Sequence, residues 1–412
     1  MAKLNIPWSN LNSERDIINA LVWNRWILQV LGIWPLVYSN TTAIEKILAT
    51  ISFALCWSGI SFLLIPMVIF MLSERTTLND KIKMLGPLSY VLVSMLKYFF
   101  LVMHHKGIRQ CIRVLSVDWR AVQQQDYRKI MIKNVAKSHV LCKFCIVFMY
   151  CAGLCFYTVM PFLTHTTIDE QNNTVKPIPY PGFDIIFDFH ITSVYIFVFC
   201  AQWISGMVLF KVTTAVCCLA AMFVAHACGQ VEIVTARIEN IVKSAQSSHI
   251  KQHMAIIVKH HMQTLRFSVS IDSILREICL VEIVGTTLTI CTLEYYCITE
   301  WNNNDSIAIL TYFFLLISFV FNVFMLCYIG EQLTNQCSKV GFASYKIEWY
   351  HLPGKVALDL TLIIRISQHP VKITAGKIID LSFARFGSII FVHRSPEILL
   401  PEPLYATSIP TS

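Results

Sequence analysis

The stretch ILATISFALCWSGISFLLIPMVIFMLS, residues 47–73, decides the fold class. Its 27 residues contain no Asp, Glu, Lys or Arg and lie between Lys46 and Glu74. A hydrocarbon core of about 30 Å is crossed by roughly 20 apolar residues wound as an α-helix, so this run is long enough to span one. Three more runs repeat it, with 25 such residues between Lys143 and Asp169, 22 between Asp188 and Lys211, and 25 between Asp305 and Glu331. Three weaker candidates complete a set of seven. Met84 to Met103 carries Lys97, expected near the inner end with its ammonium reaching toward the headgroups. Ile278 to Cys297 contains Glu282 and Glu294. Such carboxylates accept a hydrogen bond from a neighbouring helix or stand at headgroup level, and Tyr295 and Tyr296 place Glu294 at the interface. Val371 to Val392 contains Lys372, Lys377, Asp380 and Arg385. It is therefore either no span or a helix lining something wet.

Composition agrees. The 412 residues are 55% hydrophobic and 14% charged, with a mean hydropathy of +0.58. Soluble domains carry about 25% charged residues, and one soluble core of this length would lack a charged shell. The expected fold is all-α: a polytopic membrane protein of seven transmembrane helices with cytoplasmic anchor helices. Loop charge sets the orientation. On the N-terminal side, segments 1–43, 104–138, 212–277 and 330–370 hold 21 Lys and Arg; segments 73–83, 162–190, 299–305 and 393–412 hold 5. The positive-inside rule puts the N-terminus in the cytoplasm. Leu11 to Val30 is amphipathic and interrupted by charge, so no secretory signal is expected. Residues 1–43 read as a cytoplasmic N-terminal segment, 44–370 as six spans with helical extensions, 371–392 as a seventh, pore-type helix and 393–412 as a divergent tail.

Of 15 cysteines, most lie in apolar runs, where a thiol behaves as a small hydrophobe. Cys142 and Cys145 form a CxxC pair with no second pair at zinc-ligand spacing. His104-His105 and His260-His261 make no metal site alone, because adjacent helical residues point about 100° apart. No phosphate loop or nucleophile–base arrangement stands out, so neither enzyme, cofactor, metal nor nucleic acid is expected. Asn172-Asn173-Thr174 is a glycosylation sequon in the longest outer loop. Ile238 to Leu275 alternates apolar residues with Lys and His at helical spacing, which predicts amphipathic helices below the membrane. They either lie on its surface or build an intersubunit interface. The apolar run past Lys211 predicts that the fourth helix continues beyond the bilayer.

Several motifs follow one order along the chain: Gly32-Ile33-Trp34-Pro35, Asp118-Trp119, Lys176 to Pro181, His226-Ala227-Cys228-Gly229-Gln230 and Lys259-His260. Tyr328-Ile329-Gly330-Glu331, Ala343-Ser344-Tyr345 with Trp349, Gln368-His369-Pro370, Thr374-Ala375-Gly376-Lys377 and Leu381-Ser382 then follow. In this order and spacing they resemble the insect odorant receptor family, up to about Phe386. Past it the chain reads His393-Arg394-Ser395-Pro396 with further prolines, unlike the family's final helix.

The resemblance implies a non-selective cation channel gated by volatile small molecules. It also implies a hetero-tetramer with an olfactory co-receptor subunit, in the plasma membrane of a sensory neuron dendrite. A dry aromatic pocket for the odorant is expected from Tyr90, Tyr150, Leu154, Tyr157, Phe197, Phe199, Tyr312, Phe313 and Phe314, with ordinary packing or lipid contact as the alternative for each. Tyr345, Trp349 and Tyr350 are expected to anchor the subunit interface. Asp380 either pairs at the membrane edge, as Lys377 also can, or joins Ser382 and Ser388 along a conduction path. A gustatory-receptor-like channel would carry Thr-Tyr and Gln-Phe near the last span instead. A G-protein-coupled receptor would reverse the charge asymmetry and carry an outer-loop disulfide and proline in spans six and seven; Tyr312 to Leu326 has none.

Overall fold

The computed structural model describes residues 12–38, 41–74, 76–122, 124–159, 167–168, 174–175, 178–180, 182–187, 189, 191–241, 249–303 and 306–393. Eleven α-helices carry the chain within them: α1 (Ser13–Val30), α2 (Trp34–Val37), α3 (Ala43–Leu72), α4 (Leu78–Met103), α5 (His105–Ala121), α6 (Gln125–Leu154), α7 (Thr192–Glu239), α8 (Ile250–Asn303), α9 (Ser306–Lys346), α10 (Gly354–Ser367) and α11 (Phe383–His393). A π turn, Cys155–Val159, extends α6. Two short hairpins pair β1 (Thr167–Ile168) with β2 (Thr174–Val175) and β3 (Thr374–Ala375) with β4 (Ile379–Asp380), both antiparallel. Asn172 and residues 394–412 lie outside the described residues.

Among the described residues, five helical segments are long and apolar enough to cross a membrane: Ala43–Leu72, Met84–Met103, Gln125–Thr158, Thr192–Glu239 and Ala308–Lys346. Three helices run well past bilayer thickness. At 1.5 Å per residue, α7 with 48 residues is about 72 Å long, and α8 with 54 about 81 Å. The fourth apolar run does continue beyond the bilayer as one helix. α7 is the hub and packs on α3, α4, α6, α8 and α9. Every residue from Val212 to Val224 is buried, as expected of a helix apolar all round. Ala215, Ala220 and Ala221 let its neighbours approach closely. α1 closes the same end: Asp16 takes a two-point bond from Arg128 of α6 at 2.7 and 2.9 Å, and Asn24 donates to Cys218 O.

The centre of the bundle is polar. Lys97 on α4 and Glu282 on α8 are 1% and 2% exposed and form an ion pair at 2.6 Å. Lys97 also donates to Thr213 of α7 at 2.7 Å. Glu282 Oε1 accepts from Thr286 and from Asn322 of α9, whose carbonyl in turn faces the Cys217 thiol of α7. Lys97 therefore does not reach for the headgroups. A carboxylate and a hydroxyl meet it inside the bundle, and together they replace the water it would seek. Glu282 does accept from a neighbouring helix, one of its two expected settings.

The segment expected as one helix over 371–392 is different. β3 and β4 occupy its first half, and the helix covers only Phe383–His393. Gly376 and Lys377 have φ of 63° and 61°, and Ile378 N bonds Ala375 O at 3.1 Å. Two consecutive left-handed residues are what a type I′ hairpin turn requires and what no α-helix tolerates. Eleven residues give about 16 Å of helix, half a hydrocarbon core.

A glycine sets the α4–α8 seam. A Cβ on Gly285 would stand 1.9 Å from Val93 Cγ2. Gly285→Ala is expected to lower the thermal midpoint of the purified protein by several degrees, and Val93→Ala in the same chain to restore most of the loss. An unchanged midpoint for the single variant would contradict this packing.

Candidate functional site

Aromatic side chains collect between α4, α6, α7 and α9 around Phe210. Tyr90 lies 5.9 Å from it, Tyr157 6.0 Å and Tyr150 6.4 Å, and Phe319 meets Tyr90 edge-on at 5.1 Å. Two glycines make the room. A Cβ on Gly206 would stand 1.7 Å from the Tyr157 hydroxyl, and one on Gly153 2.4 Å from the Phe210 ring. The π turn carries Tyr157 to the inside of the bundle, where it is fully buried. Its hydroxyl donates to Tyr180 at 2.7 Å. Tyr180 belongs to the loop before α7, and Gln202 holds that loop by bonding both its N–H and its C=O, at 3.1 and 3.0 Å. Phe183 follows, fully buried against Phe62. The loop thus closes one end of the cluster.

The opposite end is polar. The Tyr90 hydroxyl lies beside Thr213 and Ser94, yet neither it nor Ser94 Oγ has a partner in hydrogen-bonding geometry. Ser94 and Lys97 follow Tyr90 on α4, so the cluster rests directly on the central ion pair. An aromatic cluster ending in two buried hydroxyls has the chemistry that suits a small molecule carrying one oxygen function.

Tyr90, Tyr150 and Tyr157 come together here. Tyr312 packs elsewhere, on Tyr296 at 5.3 Å, and Phe199 stacks on Tyr195. Leu154, Phe197, Phe313 and Phe314 are exposed on the outside of the bundle. Phe210, Phe319, Gln202 and Tyr180 were not anticipated as lining. The signals for them were a glutamine within an uncharged run and two glycines one helix apart. Cys142 and Cys145 face a second thiol pair, Cys218 and Cys217 of α7. Among the described residues, no three His, Cys, Asp or Glu side chains are placed to hold a metal.

At the other end of the chain, Lys372 and Asp380 pair across the hairpin at 2.7 Å. Ser382 Oγ accepts from Arg385 N, and Ser388 Oγ donates to Ala384 O. Phe383 and Phe386 stand on Phe324 of α9. Tyr345, Trp349 and Tyr350 are 68%, 48% and 64% exposed, beside exposed Phe342 and Leu358.

The sequence model of the 7tm Odorant receptor family matches residues 77–392. The chain belongs to that family. The match runs six residues past Phe386, where the motif series stops. Odorant receptor 13a of Drosophila melanogaster is 22% identical over 400 residues, covering 88% of this chain and 90% of that protein. Odorant receptor 10 of Aedes albopictus is 22% identical over 134 residues, only 35% of its length. The fold matches the olfactory receptor OR5 of Machilis hrabei, solved in complex with eugenol. The TM-score is 0.75 at 15% identity, and the match covers 93% of this chain and 98% of that one. A second structure of the same receptor matches at a TM-score of 0.72.

The odorant-receptor motifs, far apart in sequence, touch one another. His226 bonds Asp118 at 3.0 Å and Gln230 bonds His260 at 2.8 Å. Asp272 accepts from both the N–H and the hydroxyl of Thr374, Gly376 N bonds Arg276 O, and Glu331 accepts from Phe383 N. A Cβ on Gly330 would stand 2.5 Å from Leu381 O. The hairpin is therefore a clamp that holds α11 to α8 and α9.

Gly206→Ala is expected to abolish correct folding, read as loss of a monodisperse peak in detergent. Gly387→Ala, where a Cβ meets nothing within 4 Å, is expected to behave as the parent. Equal behaviour of the two would show that Tyr157 does not occupy this position.

Proposed function

We propose that the chain is the ligand-tuning subunit of an odorant-gated cation channel. It binds a volatile molecule among Tyr90, Tyr150, Tyr157 and Phe210 and opens a pore shared with a co-receptor subunit. The carrying observation is the aromatic cluster that ends in the buried hydroxyls of Tyr90 and Ser94, beside Thr213. A ligand oxygen can exchange hydrogen bonds with these hydroxyls, each of which both donates and accepts. The eugenol complex of OR5 from Machilis hrabei supports a small oxygenated aromatic as the kind of occupant.

The chain crosses the plasma membrane as a multi-pass helical bundle with its N-terminus in the cytoplasm, and α11 is its last, short helix. The loop charges support this orientation. The pore is lined by α11 from each subunit, with Ser388 along the conduction path. Asp380 and Ser382 hold the hairpin and the start of that helix. The exposed Tyr345, Trp349 and Tyr350 meet neighbouring subunits, since large rings of this kind dominate buried contacts. Such a surface, left facing water, would be an aggregation site.

Whole-cell recording tests both parts. Odour-evoked current is expected only on co-expression with the co-receptor. Tyr90→Phe is expected to raise the half-maximal concentration of hydroxylated odorants about tenfold, the scale of one lost hydrogen bond, and to leave hydrocarbon odorants unchanged. Current from this chain alone would contradict the subunit assignment; an equal shift for both odorant classes would contradict the polar end of the site.

A further inference from the structure

A cavity of about 420 Å³ opens between α5, α7 and α8, at the end of the bundle where α1 packs. It is remote from the aromatic cluster, and nothing in the odorant reading uses it. Its volume suits a ligand of drug size.

Its lining is chemically specific. Arg113 of α5 and Arg266 of α8 both line it, and neither side chain has an ionic or hydrogen-bonded partner among the described residues. One acidic side chain, Asp118, also lines it, but His226 already engages its Oδ2 at 3.0 Å. The cavity thus presents an excess of positive charge, carried by two exposed guanidinium groups whose planar N–H forks each match phosphate oxygens.

His260 supplies the second requirement. Its Nε2 lies 2.8 Å from the Gln230 carbonyl oxygen, while the amide nitrogen of Gln230 faces Met131 Sδ at 3.9 Å. A carbonyl only accepts, so Nε2 carries the proton. Burial, with Arg237 next, pushes His260 down to about 4. The ring is therefore neutral at pH 7, and Nδ1 is a bare lone pair. That atom is buried and has no partner. It needs a donor, which the dianionic phosphate of a monoester cannot provide and a carbon-bound hydroxyl can. Phe267 and Val114 give the remaining wall an apolar face.

We propose that this cavity binds a phosphate monoester of a polyol. Arg113 and Arg266 hold the phosphate, a ring hydroxyl donates to His260 Nδ1, and Phe267 and Val114 pack against the carbon skeleton. Two sources share this chemistry: a soluble inositol phosphate and the headgroup of an inositol lipid.

The test uses the full chain in nanodiscs of zwitterionic lipid, with calorimetric titration of inositol 1,4,5-trisphosphate and, separately, of inorganic phosphate. Saturable binding at one site per chain is expected. Arg113→Gln with Arg266→Gln is expected to weaken both probes about tenfold or more, the scale of lost charge-assisted bonds. Arg109→Gln, exposed on the same helix and outside the lining, is expected to change neither. His260→Phe should weaken the trisphosphate several-fold and leave inorganic phosphate unchanged. If phosphatidylinositol 4,5-bisphosphate in the nanodisc displaces the soluble probe, the ligand is a lipid; if it does not, the ligand is soluble. Both results keep the site. No saturable binding of the trisphosphate, equal loss in Arg109→Gln, or equal loss of both probes in His260→Phe overturns the proposal.

Discussion

Two opposite charges meet where neither can reach water, and the packing of the central helices depends on their meeting. Lys97 of α4 and Glu282 of α8 are nearly inaccessible and 2.6 Å apart. An isolated charge at that depth costs several kcal/mol. The pair is tolerable only because Thr213, Thr286 and Asn322 satisfy most of what the two charges leave open. These contacts fix the relative rotation of α4, α7, α8 and α9. Apolar packing between lipid-soluble helices is weakly directional, whereas hydrogen bonds to a buried ion are not. The network therefore supplies register that the apolar faces lack.

Function grows from this placement. Tyr90 and Ser94 stand on the same helix as Lys97, and Thr213 links that helix to α7, which also carries Phe210 and Gly206. The aromatic cluster between them is pinned on one side by the ion pair and on the other by Tyr180 and Gln202. The same α8 and α9 that bear Glu282 and Asn322 continue below the bundle to Asp272 and Glu331, which clamp the hairpin ahead of α11. One pair of rigid helices thus joins the aromatic cluster to the last helix. In the proposed function this pair is the physical route from the ligand to the pore.

Much of the fold was legible in the sequence because spanning runs are long, uncharged and separated by basic loops. Ala43–Leu72 and the runs that became α6, α7 and α9 are of this kind. The pairing of Lys97 with Glu282 was not legible. Lys97 reads alone as an edge charge and Glu282 as an edge charge or an acceptor from a neighbouring helix, and 185 residues separate them. The hairpin at Thr374–Asp380 was hidden for another reason. Two-residue strands have no alternation to detect, and only Gly376-Lys377 signalled a turn. The aromatic cluster was half legible. Tyr312, Phe313 and Phe314 cannot all face inward, since consecutive helical residues are turned by about 100°, and hydropathy does not say which one does. Tyr157 points inward because a π turn rotates it, a feature without a composition signal.

The claim that the bundle is organised by mutual neutralisation of two buried charges is tested by a double-mutant cycle on thermal stability in nanodiscs. Lys97→Met and Glu282→Leu each leave one ion unpaired, and each should destabilise by about 3–5 kcal/mol. The double variant, which removes both charges, should recover more than half of either loss. Additive losses in the double variant, or single variants as stable as the parent, would contradict the account.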